Sequence, residues 1–341
     1  MTTVADGLFQ YGGMPVTPGV PVPFTGNVWF VDPLNGSDGN SGKSPKLALA
    51  TLYQAHNKAT DANNDVIYLI GNGGTTATAR LSLALAQSID STVTAGTLVW
   101  SKSATHLIGI TAPTTIAQRA RIAPPSGVYL QATFGSGNFV TVTGKGCYFA
   151  NFSVFCGFST GAASQIAWTD SGGRNCYSNV SFQGMGDTDA AADTASRSLL
   201  ITGSTGENTF INCTIGLDTL SRSTGTSEFE IAGGSPRNRF ERCIIETFAG
   251  AAGCFWLKIG GSGIDRYVLF RDCVFSNPTL PANGAGATAM TVGMSIHASA
   301  GGAVLLSNCL SYGAAKLTTG GLAFTNQAAS AAGGALVTAI T

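Results

Sequence analysis

The sequence predicts an all-β chain: a right-handed parallel β-helix, a solenoid with a capping helix near its start and an extended N-terminal arm. Three observations predict it. A six-residue pattern of aromatic or Leu, any residue, polar, core, any residue and apolar recurs through the C-terminal two thirds. A second strand with a glycine turn precedes each copy at a near-constant offset. Charged residues make up only 11% of 341 residues, against a usual ~25%, so the polar surface is dressed in Ser, Thr, Asn and Gly.

The copies align as Phe149-Ala150-Asn151-Phe152-Ser153-Val154, Tyr177-Ser178-Asn179-Val180-Ser181-Phe182, Phe210-Ile211-Asn212-Cys213-Thr214-Ile215, Phe240-Glu241-Arg242-Cys243-Ile244-Ile245, Phe270-Arg271-Asp272-Cys273-Val274-Phe275 and Leu306-Ser307-Asn308-Cys309-Leu310-Ser311. Their third positions are 28, 33, 30, 30 and 36 residues apart. A period in this range is the mark of a solenoid. The preceding strands are clearest at Leu200 to Gly206, Phe229 to Gly234 and Trp256 to Gly263, and looser at Asn138 to Gly146, Ile166 to Gly173 and Met294 to Gly302.

Strand side chains alternate in direction, yet the aromatic and the core residue of each copy are three apart and both apolar. A bend therefore lies between them. Asn tolerates left-handed backbone, which places Asn151, Asn179, Asn212 and Asn308 at this corner, where they can bond from rung to rung. Arg242 and Asp272 hold the same column without that tolerance, and their expected contact is an ion pair across one rung. Cys213, Cys243, Cys273 and Cys309, following Phe152 and Val180, read as an inward ladder of small apolar thiols. A line of thiols does not make a tetrahedral metal site, and no metal is expected. Cys147, Cys156, Cys176 and Cys254 lie off the column. With no Cys-x-x-Cys and a reducing compartment expected, all eight cysteines read as thiols.

Residues 1–26 form the arm. They are too rich in proline for a helix or a sheet interior, so the segment reads as extended. It nonetheless carries Leu8, Phe9, Tyr11, Met14, Val16, Val20, Val22 and Phe24, too many apolar side chains for a free linker. The expectation is an arm laid on a partner, the alternative an arm folded back along its own β-helix. The β-helix follows over 27–312, with an opening and capping segment at 27–71, and a Gly/Ala-rich tail or cap at 313–341, where a last strand is expected from Ala335 to Ile340.

In the opening segment a strand ends in Val31-Asp32-Pro33-Leu34-Asn35-Gly36-Ser37-Asp38-Gly39-Asn40-Ser41-Gly42-Lys43-Ser44-Pro45. Next come a helix capped by Thr51, with Leu52, Ala55 and Ala59 on one face, and the strand Asp65-Val66-Ile67-Tyr68-Leu69. This order resembles the first segment of pectate-lyase-like right-handed parallel β-helix proteins, and with the ladder the resemblance covers roughly residues 27 to 311. It implies fold far more than chemistry, because such folds carry lyases, hydrolases, adhesins and inert virion parts. Asp32, Asn35, Asp38 and Asn40 lack the closing glutamate of an EF-hand and read as an Asn/Gly turn.

Catalytic signals are sparse. The three histidines, His56, His106 and His297, are far apart, and no hydrolase or phosphate-loop motif occurs. The best acidic cluster for glycoside cleavage is Asp187, Asp189 and Asp193, in a stretch that otherwise reads as a solvated loop. Glu230 and Lys258 are expected to form a cross-rung ion pair. The calcium ligands and basic residue that a pectate lyase resemblance implies cannot be assembled.

Eighteen basic and eighteen acidic residues balance, so no field draws the chain to nucleic acid, and no apolar run is long enough to span a membrane. The first residues do not read as a secretory signal, so the product is expected to be made in a cytoplasm. An unsecreted β-helix with an apolar arm resembles virion proteins of tailed bacteriophages. The expected role is a capsid decoration (cement) protein on the capsid surface, a homotrimer bound through its arm to the major capsid protein, with no enzymatic activity and no cofactor. The alternative is a tailspike or tail-fibre protein that binds or cleaves host surface polysaccharide.

Overall fold

The computed structural model describes residues 3–5, 8–11, 14–16, 25–71, 98–111, 120–123, 137–157, 164–278, 287–318, 323–325 and 335–336. Over the solenoid the described residues form three sheets of 11, seven and seven strands. Each full rung contributes one strand to each sheet. The strand of the second sheet, such as Ser227–Ile231, comes first, followed by a glycine turn. A strand of the first sheet follows (Asn238–Glu241), then a one-residue corner, then a short strand of the third sheet (Ile244–Glu246) and a longer loop to the next rung. All pairings between rungs are parallel except the last, where Ala335–Leu336 runs antiparallel to Ala323–Thr325.

The six aligned copies are each two strands and the bend between them. Phe149, Tyr177, Phe210, Phe240 and Phe270 point inward from the first sheet and stack face to face, with centroids 5.0, 4.6, 4.5 and 4.7 Å apart. Rung spacing in a parallel sheet, ~4.8 Å, coincides with the stacking distance of aromatic rings. One identical residue per rung therefore builds a continuous stack. The same column runs backwards through Leu107 and Ile67 to Trp29, three rungs before the first copy legible in the sequence. In the Leu107 rung the equivalent residue, Gly109, continues the strand Thr105–Ile110, and its carbonyl accepts a hydrogen bond from Asn151 Nδ2 at 2.9 Å.

All six corner residues take left-handed backbone, with φ between 49° and 59°. This includes Arg242 and Asp272, contrary to the expectation that they lack the tolerance. The chain direction must reverse its pleat at that point in every rung, and neighbouring rungs impose the geometry whatever the side chain. Nor do these two form an ion pair. Arg242 Nε donates to Asn212 Oδ1 at 2.9 Å, and Asp272 Oδ1 accepts from Asn308 Nδ2 at 2.6 Å. Asn179 Nδ2 donates to Asn151 Oδ1 at 2.9 Å, so side-chain bonds join the corner residues of adjacent rungs in three pairs, 151 with 179, 212 with 242 and 272 with 308, arginine and aspartate serving as donor and acceptor.

Behind the corner, Phe152, Val180, Cys213, Cys243 and Cys273 are fully buried, and Cys309 is half-buried at the last rung. All eight cysteines are free thiols. Off the column, Cys147, Cys156 and Cys254 are buried and Cys176 half-buried.

The start of the solenoid matches its sequence. The helix α1, Leu52–Lys58, is capped by Thr51 Oγ1 accepting from Gln54 N at 3.2 Å, and it buries Leu52 and Ala55, with Ala59 beside them. Asp32 Oδ1 accepts from the amides of Leu34 and Asn35, and Asp38 accepts from the amides of Ala50 and Thr51. These carboxylates build turns, and Asn40 Nδ2 closes onto Ala48 O at 2.8 Å. The arm is described at three short extended strands. Thr3–Ala5, Leu8–Tyr11 and Met14–Val16 form a three-stranded antiparallel sheet of their own, with Pro15 in a terminal strand where its missing amide is tolerated. Val20, Val22, Phe24 and residues 337–340 lie outside the described residues.

Candidate functional site

The predicted acidic cluster is part of the scaffold. Asp187 is the N-cap of a short helix, Thr188–Ala192 (α2), in the loop that reads as solvated from sequence. Its Oδ1 accepts from the amides of Asp189 and Ala190 at 3.1 and 2.9 Å, and its Oδ2 from Gln165 Nε2 at 3.3 Å. Asp193 closes the other end of the helix, accepting from Ser164 N and Ser196 Oγ at 2.5 and 2.9 Å, bonds that hold its carboxyl below the usual range against the effect of burial. The two carboxylates are thus turned into the backbone, and Asp189 sits on the first turn of the helix. Glu230 lies opposite Lys258 in register but pairs with Arg197 instead, at 2.7 Å. The planar guanidinium of Arg197 presents two donors from the neighbouring rung, which a single ammonium cannot match.

A different acidic group gathers where the loops after the third sheet stack. Arg222 and Glu228 form a fully buried ion pair, Nε to Oε1, at 2.7 Å. Arg222 also donates to the carbonyls of Met185, Gly184 and Leu217, at 2.6, 3.4 and 3.3 Å. Glu228 accepts from Thr247 Oγ1 at 3.0 Å and Ser198 Oγ at 2.7 Å. One pair thus ties loops from three successive rungs. Beside it, Glu246 ends the third-sheet strand of the next rung. It is 94% buried, its relative exposure being 6%, and its Oε1 has no hydrogen-bond partner. Burial, then the charge of Asp218, then that of Glu228, push its carboxyl up to about 8. Gly216 makes the crowding possible: at φ 112°, a Cβ there would lie 1.8 Å from the carbonyl oxygen of Glu246. Register places Glu246, Ser276 and Tyr312 in one outward column, in which Ser276 Oγ bonds to the Tyr312 hydroxyl at 2.6 Å and Tyr312 is 45% exposed. A neutral carboxylic acid beside an exposed carboxylate is the arrangement that acid–base chemistry uses.

Two buried features escaped the sequence reading. Cys147 N donates to Asn175 Oδ1, Asn175 N to Asn208 Oδ1 and Asn208 N to Asn238 Oδ1, at 2.8, 2.9 and 3.1 Å, which makes a second asparagine ladder. Its signal was present, an Asn two residues before the aromatic in three consecutive rungs. Asp170, buried in the same region, accepts from Tyr177 Oη at 2.6 Å and Asn175 Nδ2 at 3.0 Å, and burial raises its carboxyl. His56 and His106, distant in sequence, are both buried in the first rungs and pushed down to about 4 by burial, so both are neutral. His106 Nδ1 accepts from Tyr148 N at 3.0 Å. Among the described residues no three His, Cys, Asp or Glu side chains converge on a metal-sized position, and no helix is long and apolar enough to cross a membrane.

No family model matches the chain, and no curated protein matches it. Solved structures do. Pectate lyase Pel9A superposes with a TM-score of 0.53 at 17% identity, over 84% of this chain and 63% of the lyase. A rhamnogalacturonan lyase gives 0.54 at 15%, over 84% and 68%. Pectin methylesterase PemA from Erwinia chrysanthemi gives 0.51 at 13%, over 85% and 81%. The chain spans less than two thirds of the length of Pel9A. At these identities the likeness is one of fold, and in fold the chain is a pectate-lyase-like parallel β-helix.

Proposed function

We propose that the chain is a structural virion protein of a tailed bacteriophage, a capsid decoration protein that sits on the capsid surface as a homotrimer and holds the major capsid protein through its N-terminal segment. The observation that carries this reading is the small sheet at Thr3–Ala5, Leu8–Tyr11 and Met14–Val16, which belongs to none of the three solenoid sheets. A three-stranded sheet with strands of three or four residues sits at the short end of what is stable, and its sequence is apolar, which a partner surface would complement. The solenoid supports the reading as a scaffold, since its interior is filled by stacked rings and thiols, and Asp187 and Asp193 are spent on the two ends of a helix. Deleting residues 2–26 is expected to leave a folded, soluble β-helix that no longer binds purified shells in a co-sedimentation assay. Unchanged binding would overturn the reading.

Glu246 favours a second reading, a tailspike or tail-fibre protein acting on host surface polysaccharide. A protonated buried acid near the exposed Asp218 suits glycan chemistry. Release of reducing ends from capsular or lipopolysaccharide, lost in Glu246→Gln, would replace the first reading with this one.

A further inference from the structure

Arginine is concentrated on one outer face of the solenoid. Phe240 and Phe270 point inward from the first sheet, so alternation turns Arg239, Glu241 and Arg271 outward, with Glu241 and Arg271 in register across one rung. Arg174, Arg237 and Arg266 lie in the turns that lead into successive strands of this sheet, and Arg242 stands at its corner. These are six of the chain's eleven arginines, and all six are exposed. In a chain with 11% charged residues, charge on this scale is local to one face.

Carboxylates are present but outnumbered. Glu207 lies between two guanidiniums, Arg174 Nε at 2.9 Å and Arg237 Nε at 3.0 Å. Glu241 is likewise shared by Arg239 Nε at 2.6 Å and Arg271 Nη1 at 3.5 Å. Arg266 sits 3.5 Å from Asp265, and Arg242 bonds to the neutral Asn212. With Asp272, which is bonded to Asn308, six guanidiniums stand beside four carboxylates, and each shared carboxylate leaves its two arginines with one positive charge over. Exposed ion pairs contribute little to folding stability, so the fold gains little from this array. The shared carboxylates do hold the guanidinium planes in place, and five of these arginine side chains remain 44–66% exposed, with N–H groups to spare.

Tyr267, 37% exposed, and the half-buried Leu269 lie among them on the strand Tyr267–Arg271. Arg and Tyr are the residues that carry binding energy at protein interfaces, and the guanidinium fork matches a carboxylate in two-point contact. Nucleic acid fits less well, because four carboxylates would face its phosphates and the excess is only two charges.

We propose that this face of the first sheet docks an acidic protein surface, its guanidiniums taking the partner's carboxylates around Tyr267. The contact is electrostatic at an exposed face, so it weakens with salt.

A fluorescein-labelled deca-glutamate peptide, titrated with the full-length chain and followed by anisotropy, tests this. Saturable binding is expected, weakening about fivefold or more between roughly 50 and 200 mM salt. Arg237→Gln/Arg239→Gln/Arg271→Gln should lose about tenfold or more in affinity with an unchanged Tm. Asp265→Asn removes the carboxylate beside Arg266 and should tighten binding about twofold, a gain that misfolding cannot mimic. Lys46→Gln/Lys58→Gln/Lys316→Gln removes the same charge elsewhere and should bind as the parent does. Absent or salt-insensitive binding, equal loss in the lysine variant, no gain in Asp265→Asn, or tighter binding of a deca-thymidine oligonucleotide would overturn the assignment.

Discussion

Removing one member of the Arg222–Glu228 pair is expected to loosen three rungs together. Glu228→Gln keeps the shape of the side chain but leaves the guanidinium of Arg222 fully buried and uncompensated, and its three carbonyl acceptors at Gly184, Met185 and Leu217 carry no charge. Arg222→Met does the converse. It strands the Glu228 carboxylate on two hydroxyls and takes the donor from those carbonyls. Breaking a buried pair from one side costs about 3–5 kcal/mol, and each single variant is expected in that range. The double variant Arg222→Met with Glu228→Leu leaves hydroxyls and carbonyls under-satisfied but buries no charge. It should cost roughly 2–4 kcal/mol, well below the sum of the singles, which gives a coupling energy of about 5 kcal/mol. Urea denaturation measures the totals. Amide hydrogen exchange measures the locality, with faster exchange expected at residues 184–186, 217–223 and 247–250 before the ring stack is affected. Single variants within about 1 kcal/mol of the parent, or exchange that rises evenly along the solenoid, would refute the view that this pair fastens the loops.

Other predictions concern the stack, the corner and pH. Phe210→Ala removes a ring stacked on both Tyr177 and Phe240 and should cost about 3–5 kcal/mol, near the upper end because both faces lose a partner; a cost under about 2 kcal/mol in denaturant unfolding would contradict continuous stacking. Arg242→Asn places a residue suited to φ 49° at the corner, and its amide can still reach Asn212, so Tm should rise, by about 0.5–1 kcal/mol of stability. His56 and His106 have folded-state values lowered to about 4 from 6.5, so the unfolded chain binds more protons between those limits. Their contribution is present above pH 6.5 and is lost as pH falls to 4, by at most ~3 kcal/mol per histidine; a flat stability profile from pH 6.5 to 4 in a His56→Gln/His106→Gln variant, against a falling one in the parent, checks it. Glu246 has the opposite sign: raised to about 8, its contribution is present below pH 4.5 and lost as pH rises through 8. Glu246→Gln should therefore gain on the parent across that window, by a margin of about 4 kcal/mol at pH 8, and a constant margin would show that the carboxyl is already ionised.

The sequence by itself determined what repeats. The ring column, the corner, the thiols and the helix cap each place the same residue type at the same offset in successive rungs, and stacking at one fixed spacing converts an offset in sequence into a contact in space. Even so it understated the left-handed demand on Arg242 and Asp272, because the corner is set by the rungs on either side rather than by the residue's own preference. Tertiary structure decided what does not repeat. Glu230 found Arg197 rather than Lys258, Asp187 and Asp193 became the two ends of a helix, and Arg222, Glu228 and Glu246 met across loops of unequal length. Loop length fixes which non-equivalent positions come together between rungs, and no periodicity records it. The asparagines at 175, 208 and 238 stand between the two cases, periodic in sequence but recognisable as a ladder only once each side chain is seen to accept from the amide one rung before it.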